Sequence, residues 1–91
     1  MENKRDVVLN LFNEISFKID KKKKILLYRD LMKNTNTYKT LSVIQTTIIR
    51  NIQVGNYKRA LRYICLIYKV FSIFEKEEKD IINKLDNMMM N

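Results

Sequence analysis

The sequence predicts an all-α fold, a small antiparallel bundle of four main helices forming one domain over residues 1–91. Pro is absent and Gly occurs once, so the chain has few of the residues that form tight β-turns, and continuous helices are favoured. Hydrophobic residues make up 46% and charged residues 31%, which is the balance of a globular chain. The apolar residues recur mostly at intervals of three and four, which is the period of one helical face.

The first helix is predicted from about Lys4 to Lys18. Its apolar residues share one face, so this helix can bury a stripe against the rest of the domain. The stripe consists of Val7, Val8, Leu11, Phe12, Ile15 and Ile19.

The segment from Asp20 to Lys33 is either an additional short helix or part of a longer second one. Asp20 can cap its start, and the run "KKKK" from Lys21 to Lys24 fills its opening turns. Four like charges at that end oppose the helix dipole. We expect its buried stripe to consist of Ile25, Leu27, Tyr28, Leu31 and Met32.

The stretch "NTNT" from Asn34 to Thr37 breaks the helical pattern, because Asn and Thr side chains compete for backbone hydrogen bonds. Thr37 can cap a third helix that continues to about Gln53. A strand over Val43 to Ile49 is the alternative, since that segment is rich in β-branched residues. The predicted helical stripe consists of Leu41, Ile44, Ile48 and Ile52.

Gly55 is predicted to end the third helix, because glycine readily adopts the left-handed conformation found there. The next helix begins near Asn56. Its apolar spacing continues beyond Phe74, so one helix to the C-terminus is possible, but the acidic residues that follow are typical of a helix start. We predict a reversal near Val70 to Phe74 and a final helix from about Glu75. The inward residues before the reversal are Tyr57, Ala60, Leu61, Ile64, Tyr68 and Phe71.

The net charge of +8 is unevenly distributed. Residues 34–73 carry six Lys and Arg and no acidic residue, whereas residues 74–91 carry three against five. This distribution indicates an anionic partner, which can be nucleic acid, a phospholipid surface or an acidic protein face. The run "KIDKKKK" is interpreted either as part of such a contact or as a solvated helix end.

The chain lacks the residues of most catalytic and metal sites. His is absent, so a Ser/His or Cys/His nucleophile cannot be built, and no Gly-rich phosphate loop occurs. Cys65 is the single cysteine, which excludes an intrachain disulfide and leaves no metal-ligand cluster. We expect Cys65 to be buried, the compartment to be reducing and intracellular, and the protein to have no enzymatic activity and no cofactor.

No secretory signal pattern opens the chain, and no apolar run reaches the roughly 18 to 20 residues of a membrane-spanning helix.

One motif suggests an assembly adaptor. "LLYRDLM" from Leu26 to Met32 contains Leu-Tyr-Arg and resembles the signature of the LYR-motif adaptor proteins, together with Tyr38 and "IIR" from Ile48 to Arg50. That resemblance implies a helical protein that binds a partner during iron–sulfur or respiratory assembly. A small nucleic-acid-binding protein is the other alternative, although the tyrosines fall mostly on apolar stripes, where core packing explains them better.

A broader resemblance covers most of the chain. "DVVLNLFNEIS" (Asp6 to Ser16), "ALRYI" (Ala60 to Ile64) and "FSIFEKEEKDIINKL" (Phe71 to Leu85) are similar, in this order, to the first, third and fourth helices of the enterocin A immunity-protein family. This family comprises the immunity proteins of class IIa bacteriocin producers. The resemblance implies a non-enzymatic, cytoplasmic four-helix bundle that protects the producer cell by acting at the bacteriocin-occupied mannose phosphotransferase permease.

The resemblance also implies that the C-terminal half recognises the partner. The residues that then provide polar contacts or an adaptable apolar tip are Lys76, Lys79, Lys84, Met88, Met89 and Met90. The alternative is that residues 87–91 form a frayed tail. A basic surface made by Arg59, Arg62 and Lys69 can face anionic lipid at the inner membrane surface, which attracts each cation by about 1 kcal/mol.

Overall fold

The computed structural model describes residues 3–90, except the side chain of Met90. Within this range the fold is all-α, as the sequence predicts, with no strand. Its four helices are not the four main helices predicted, because the last two of those form one helix and the short segment after the first helix is a helix of its own. The alternative strand over residues 43–49 lies inside a helix. Asn91 and the Met90 side chain, both part of the predicted tail, lie outside the described residues. The helices are α1 (Lys4–Lys21), α2 (Lys23–Lys33), α3 (Thr37–Gln53) and α4 (Tyr57–Met90).

Helix α1 begins with a side-chain cap. The side-chain oxygen of Asn3 accepts a hydrogen bond of 2.9 Å from the backbone N–H of Asp6, whose carboxylate also lies favourably at the positive end of the helix. The predicted stripe is largely confirmed, with Val7 exposed and Leu11 half-buried. Its fully buried members are Val8, Phe12, Ile15 and Ile19.

A single residue, Lys22, separates α1 from α2. Its backbone N–H donates to the carbonyls of Lys18 and Ile19, which closes α1, and α2 starts at the next residue. The prediction that Asp20 caps α2 is wrong, because the apolar pattern of α1 extends to the buried Ile19 and carries Asp20 within α1. The segment is nevertheless a separate short helix, as one of the two interpretations proposed.

The buried face of α2 differs from the predicted one. Leu26 is fully buried, whereas Leu27, Leu31 and Met32 are exposed, Leu31 to 79%. Ile25 and Tyr28 are half-buried, as expected. Apolar residues occur on every side of this helix, so periodicity alone does not determine which side turns inward. The contacts of Arg29 on the inward side select the rotation.

Helices α2 and α3 are joined by a short corner. Asn34 adopts a left-handed conformation (φ 53°), and the next N–H, from Thr35, donates to the carbonyl of Asp30 at 3.1 Å. Helix α3 starts at Thr37, so Asn36 and not Thr37 takes the capping position. In α3, Ile44 is half-buried. The other predicted stripe residues, Leu41, Ile48 and Ile52, are buried.

Gly55 reverses the chain between α3 and α4, as predicted. Its φ of +78° lies in the left-handed region, which favours glycine. The N–H groups of Gly55 and Asn56 donate to the carbonyls of Ile52 and Asn51, which ends α3.

The predicted reversal near Val70 to Phe74 is wrong, because α4 continues without a break from Tyr57 to Met90. Phe71 and Phe74 are both buried, with ring centroids 5.6 Å apart in an edge-to-face arrangement. They continue the inward stripe of the first half of α4, so a reversal here would expose one of them. Glu75, Glu77 and Glu78 pair sideways with α1, α2 and the corner between them instead of starting a new helix.

Cys65 is exposed, which corrects the expectation that it is buried. Ile64 and Ile67 turn into the core, and Cys65 lies on the opposite side of α4. The same rotation leaves Tyr68 exposed, although the sequence predicted it to point inward. An apolar run that covers every side of a helix cannot be buried on all of them.

Helix α4 gives the molecule its elongated shape. Every pair of the four helices is in contact, and the described residues measure 53 × 26 × 17 Å. At 1.5 Å per residue, 34 helical residues extend about 51 Å, so α4 runs the length of the molecule. The radius of gyration is 15.3 Å, against about 12 Å expected for a compact domain of this size.

Candidate binding surface

The acidic segment of α4 holds this helix to α1 and α2. Glu75 pairs with Lys18 of α1 at 3.0 Å, and Glu78 pairs with Lys22 at the corner between α1 and α2. Glu77 accepts a hydrogen bond of 3.0 Å from Arg29 Nε and lies 2.6 Å from Lys33 Nζ, both in α2. These acidic groups are thus engaged internally.

Arg29 is the central residue of the contact between α2 and α4. Only 12% of its side chain is exposed. Besides Glu77, its guanidinium contacts the hydroxyl of Thr37 and lies 6.0 Å from the centroid of the Phe74 ring. These contacts require the polar side of α2 to face inward, which explains the rotation of this helix. They also engage the Arg of the Leu-Tyr-Arg motif inside the fold, beside a half-buried Tyr28.

Asp30 fixes the corner at which α3 begins. Its carboxylate accepts hydrogen bonds from the Thr35 hydroxyl at 2.6 Å and from the backbone N–H of Tyr38 at 2.9 Å. Burial acts to raise the pKa of Asp30, but these bonds, together with those from Thr37, outweigh it and hold the pKa below its usual value. Asp30 therefore supplies the capping interaction that Asn36 does not make.

The pKa of Glu77 is also lowered. The largest cause is the hydrogen bond from Lys33, followed by the one from Arg29, and both stabilise the ionised carboxylate more than partial burial disfavours it. Because the Glu77 side chain remains one-third exposed, solvent screens these interactions and each contributes modestly to stability.

The predicted partner-binding residues lie on the solvent side of α4, except Met90, whose side chain is outside the described part of the chain. Lys76, Lys79 and Lys84 are exposed and take part in no ion pair within residues 3–90. Met88 and Met89 are 63% and 77% exposed. The structure does not gather the lysines on one line, since helical periodicity separates Lys79 from Lys84 by about 140° around the axis.

The predicted basic residues Arg59, Arg62 and Lys69 are all exposed. Arg62 and Lys69 lie seven residues apart and therefore on one line along the helix, whereas Arg59 is displaced to its side. Two further cations continue this line in both directions. We call the following set the outer stripe of α4: Lys58, Arg62, Leu66, Lys69, Ile73 and Lys76.

Two members of the outer stripe, Leu66 and Ile73, were missed by the sequence reasoning. They are 42% and 59% exposed and lie between the cations. Their spacing of seven residues matches that of Arg62, Lys69 and Lys76, which is the signal that could have identified them. Leu66 and Ile73 belonged neither to the predicted inward face nor to the predicted basic surface.

Comparisons with family models, curated proteins and solved structures found no match to this chain.

No pocket was found along the described part of the chain. None of the helices in residues 3–90 is both long and apolar enough to cross a membrane.

Proposed function

We propose that this protein is a bacteriocin immunity protein, a non-enzymatic binding protein that protects a producer cell from a class IIa bacteriocin. It acts from the cytoplasmic side at the bacteriocin-occupied mannose phosphotransferase permease. The proposal rests on the resemblance of α1 and of the C-terminal part of α4 to the enterocin A immunity family. In this chain the recognition element is the distal part of a continuous helix, because the turn expected before Glu75 is absent.

The observation that carries the proposal is the exposed distal end of α4. Among the described side chains, Ile81 is the last that is buried, and Leu85 is the only one after it that is half-buried. Met88 and Met89 form an exposed apolar tip, and methionine side chains adapt readily to a partner surface. We call residues 82–90 the arm of α4.

We also infer how the helices are directed. The short turn at Gly55 makes α3 and α4 antiparallel neighbours, and the hydrogen bond of 3.0 Å between Gln45 and Ser16 joins the middle of α3 to α1. Lys18 pairs with Glu75, and Lys22, which directly follows α1, pairs with Glu78. Residue numbers therefore rise in the same direction along α1 and along this part of α4. The antiparallel relation predicted for the bundle therefore applies to α3 with α4, while α1 runs alongside α4 in the same direction.

The test is protection of a sensitive bacterium that expresses this chain, challenged with a panel of class IIa peptides. We expect growth in the presence of at least one peptide, and co-purification with the permease when that peptide is present. Sensitivity to every peptide of the panel, despite soluble folded protein, would contradict the proposed function.

A matched pair of variants tests the arm. Met88→Ser with Met89→Ser removes its apolar tip, and Leu31→Ser with Met32→Ser removes exposed apolar residues from α2. We expect the first variant to lose protection and the second to keep it, because only the first alters the recognition element. Equal protection by the two variants would show that the arm is not that element.

A further inference from the structure

We propose that the outer stripe of α4 binds the surface of an anionic lipid membrane, with α4 lying flat on it. Helical geometry places the four cations Lys58, Arg62, Lys69 and Lys76 on one line about 27 Å long. All four are exposed and take part in no ion pair within the described residues. One turn after Lys76, Asp80 ends the basic line.

The surroundings of the stripe leave most of its charge uncompensated. Residues 34–74 contain no acidic residue, so neither α3 nor the first half of α4 offers the stripe a carboxylate. Of the acidic residues that follow, Glu75, Glu77 and Glu78 turn sideways to α1 and α2, where Lys18, Lys22, Arg29 and Lys33 already pair with them. Asp80 is exposed at the end of the stripe and forms no ion pair with it within the described residues. An anionic surface outside the molecule is the complement of this face.

The start of α4 supports an external role for these cations. Lys58 and Arg59 lie in the first turn, which contains no acidic residue. Cations near the positive end of a helix dipole oppose folding. An anionic partner would offset this unfavourable interaction of Lys58 and Arg59 with the helix dipole.

The apolar residues of the stripe favour a membrane over nucleic acid. Leu66 and Ile73 are aliphatic side chains that can enter the headgroup region while the lysine and arginine stems extend to the phosphates. Binding of single-stranded nucleic acid combines cations with aromatic rings on which the bases stack. Tyr57 and Tyr63 are half-buried, and Tyr68 lies to the side of the stripe.

The experiment measures binding of the full chain to vesicles that contain about 30% phosphatidylserine in phosphatidylcholine, with pure phosphatidylcholine vesicles as the neutral reference. We expect binding to the anionic vesicles alone, weakening as salt is raised. This inference does not rest on the proposed function, since the vesicles contain no permease and the cell-protection assay is separate.

Two charge variants show whether the stripe itself is responsible. Arg62→Gln with Lys69→Gln is expected to weaken binding about 30-fold, since each cation near such a surface contributes about fivefold. Lys39→Gln with Arg50→Gln makes the same change in net charge on exposed residues of α3 and should weaken binding less than about threefold. Equal losses in the two variants would overturn the proposal, because net charge alone would then account for binding.

A third variant separates lipid from nucleic acid. Leu66→Ser with Ile73→Ser should weaken vesicle binding about tenfold without changing the charge. With a single-stranded oligonucleotide, tested at the same salt concentrations, Arg62→Gln/Lys69→Gln should lose no more affinity than Lys39→Gln/Arg50→Gln, because the two variants remove the same net charge. Stripe-dependent binding of the oligonucleotide together with absence of vesicle binding would refute the membrane assignment.

Discussion

The continuity of α4 through residues 70–75 leads to a specific prediction at Ser72. This residue is exposed in the middle of the helix, so replacing it removes no buried apolar surface. Ser72→Pro removes the α-helical hydrogen bond between the N–H of residue 72 and the carbonyl of Tyr68, and the proline ring clashes with that carbonyl. We expect a loss of about 3 kcal/mol relative to Ser72→Ala.

That loss is large compared with the stability of the domain. A chain of 91 residues has a free energy of unfolding of about 5 to 14 kcal/mol. Equilibrium unfolding in urea, followed by far-ultraviolet circular dichroism, should show the midpoint of Ser72→Pro about 2 M below that of Ser72→Ala. The stability of Ser72→Gly should lie between those of the proline and alanine variants, about 1 kcal/mol below alanine, because glycine costs only the additional backbone entropy lost on folding.

The result that would refute the reasoning is equal stability of the proline and alanine variants. A reversal near residue 72 would tolerate proline, since turns accept its fixed φ and need no donor there. Stability of Ser72→Pro within about 0.5 kcal/mol of Ser72→Ala would therefore show that α4 is broken at this point.

Three further predictions use the same unfolding assay. Phe74→Ala should cost about 3 to 5 kcal/mol, because Phe74 is fully buried against Phe71 and Arg29, whereas Phe17→Ala should be nearly neutral since Phe17 is largely exposed. Gly55→Ala should cost about 1 kcal/mol from its positive φ alone, because an added Cβ meets no atom within 4 Å. Glu77 has a lowered pKa, so its contribution to the free energy of unfolding is complete above its ordinary pKa of 4.5 and is lost as the pH falls through the lower folded value. Glu77→Gln should therefore lose less stability in acid than the wild type. An identical dependence of unfolding free energy on pH in the two proteins would contradict this prediction.

The sequence was sufficient for the elements whose apolar residues lie on a single face. In α1 and α3 the spacing of Val8, Phe12, Leu41 and Ile48 identified both the helix and its buried side. Gly55 was identifiable because one glycine in a chain without proline has few other roles. These inferences depend only on local geometry, which a sequence pattern carries directly.

The errors occurred where the outcome depends on a neighbouring helix. In α2, apolar residues offered two possible inward faces, and the contacts of Arg29 with Glu77 and Phe74 selected the one with Leu26. In α4, an acidic cluster is compatible with a helix start and equally with lateral pairing. The choice required knowing that cations of α1 and α2 lie beside it, which no pattern within α4 contains.

The candidate site was only partly identified for a related reason. The cations Arg59, Arg62 and Lys69 are exposed, as a basic surface requires, but the stripe along α4 depends on the phase of a helix that was expected to be broken. In a continuous helix the buried residues Ile67, Phe71 and Phe74 fix the rotation of every other position. The charges of α4 are consequently sorted in part, with Glu75, Glu77 and Glu78 beside α1 and α2 and the cations directed outward. One residue inserted between Phe74 and Glu75 would rotate everything beyond it by about 100°. It would separate Glu77 from Arg29 and remove Lys76 from the line of Arg62 and Lys69, so the ion pairs that hold α4 and the basic face that α4 presents depend on the same helical phase.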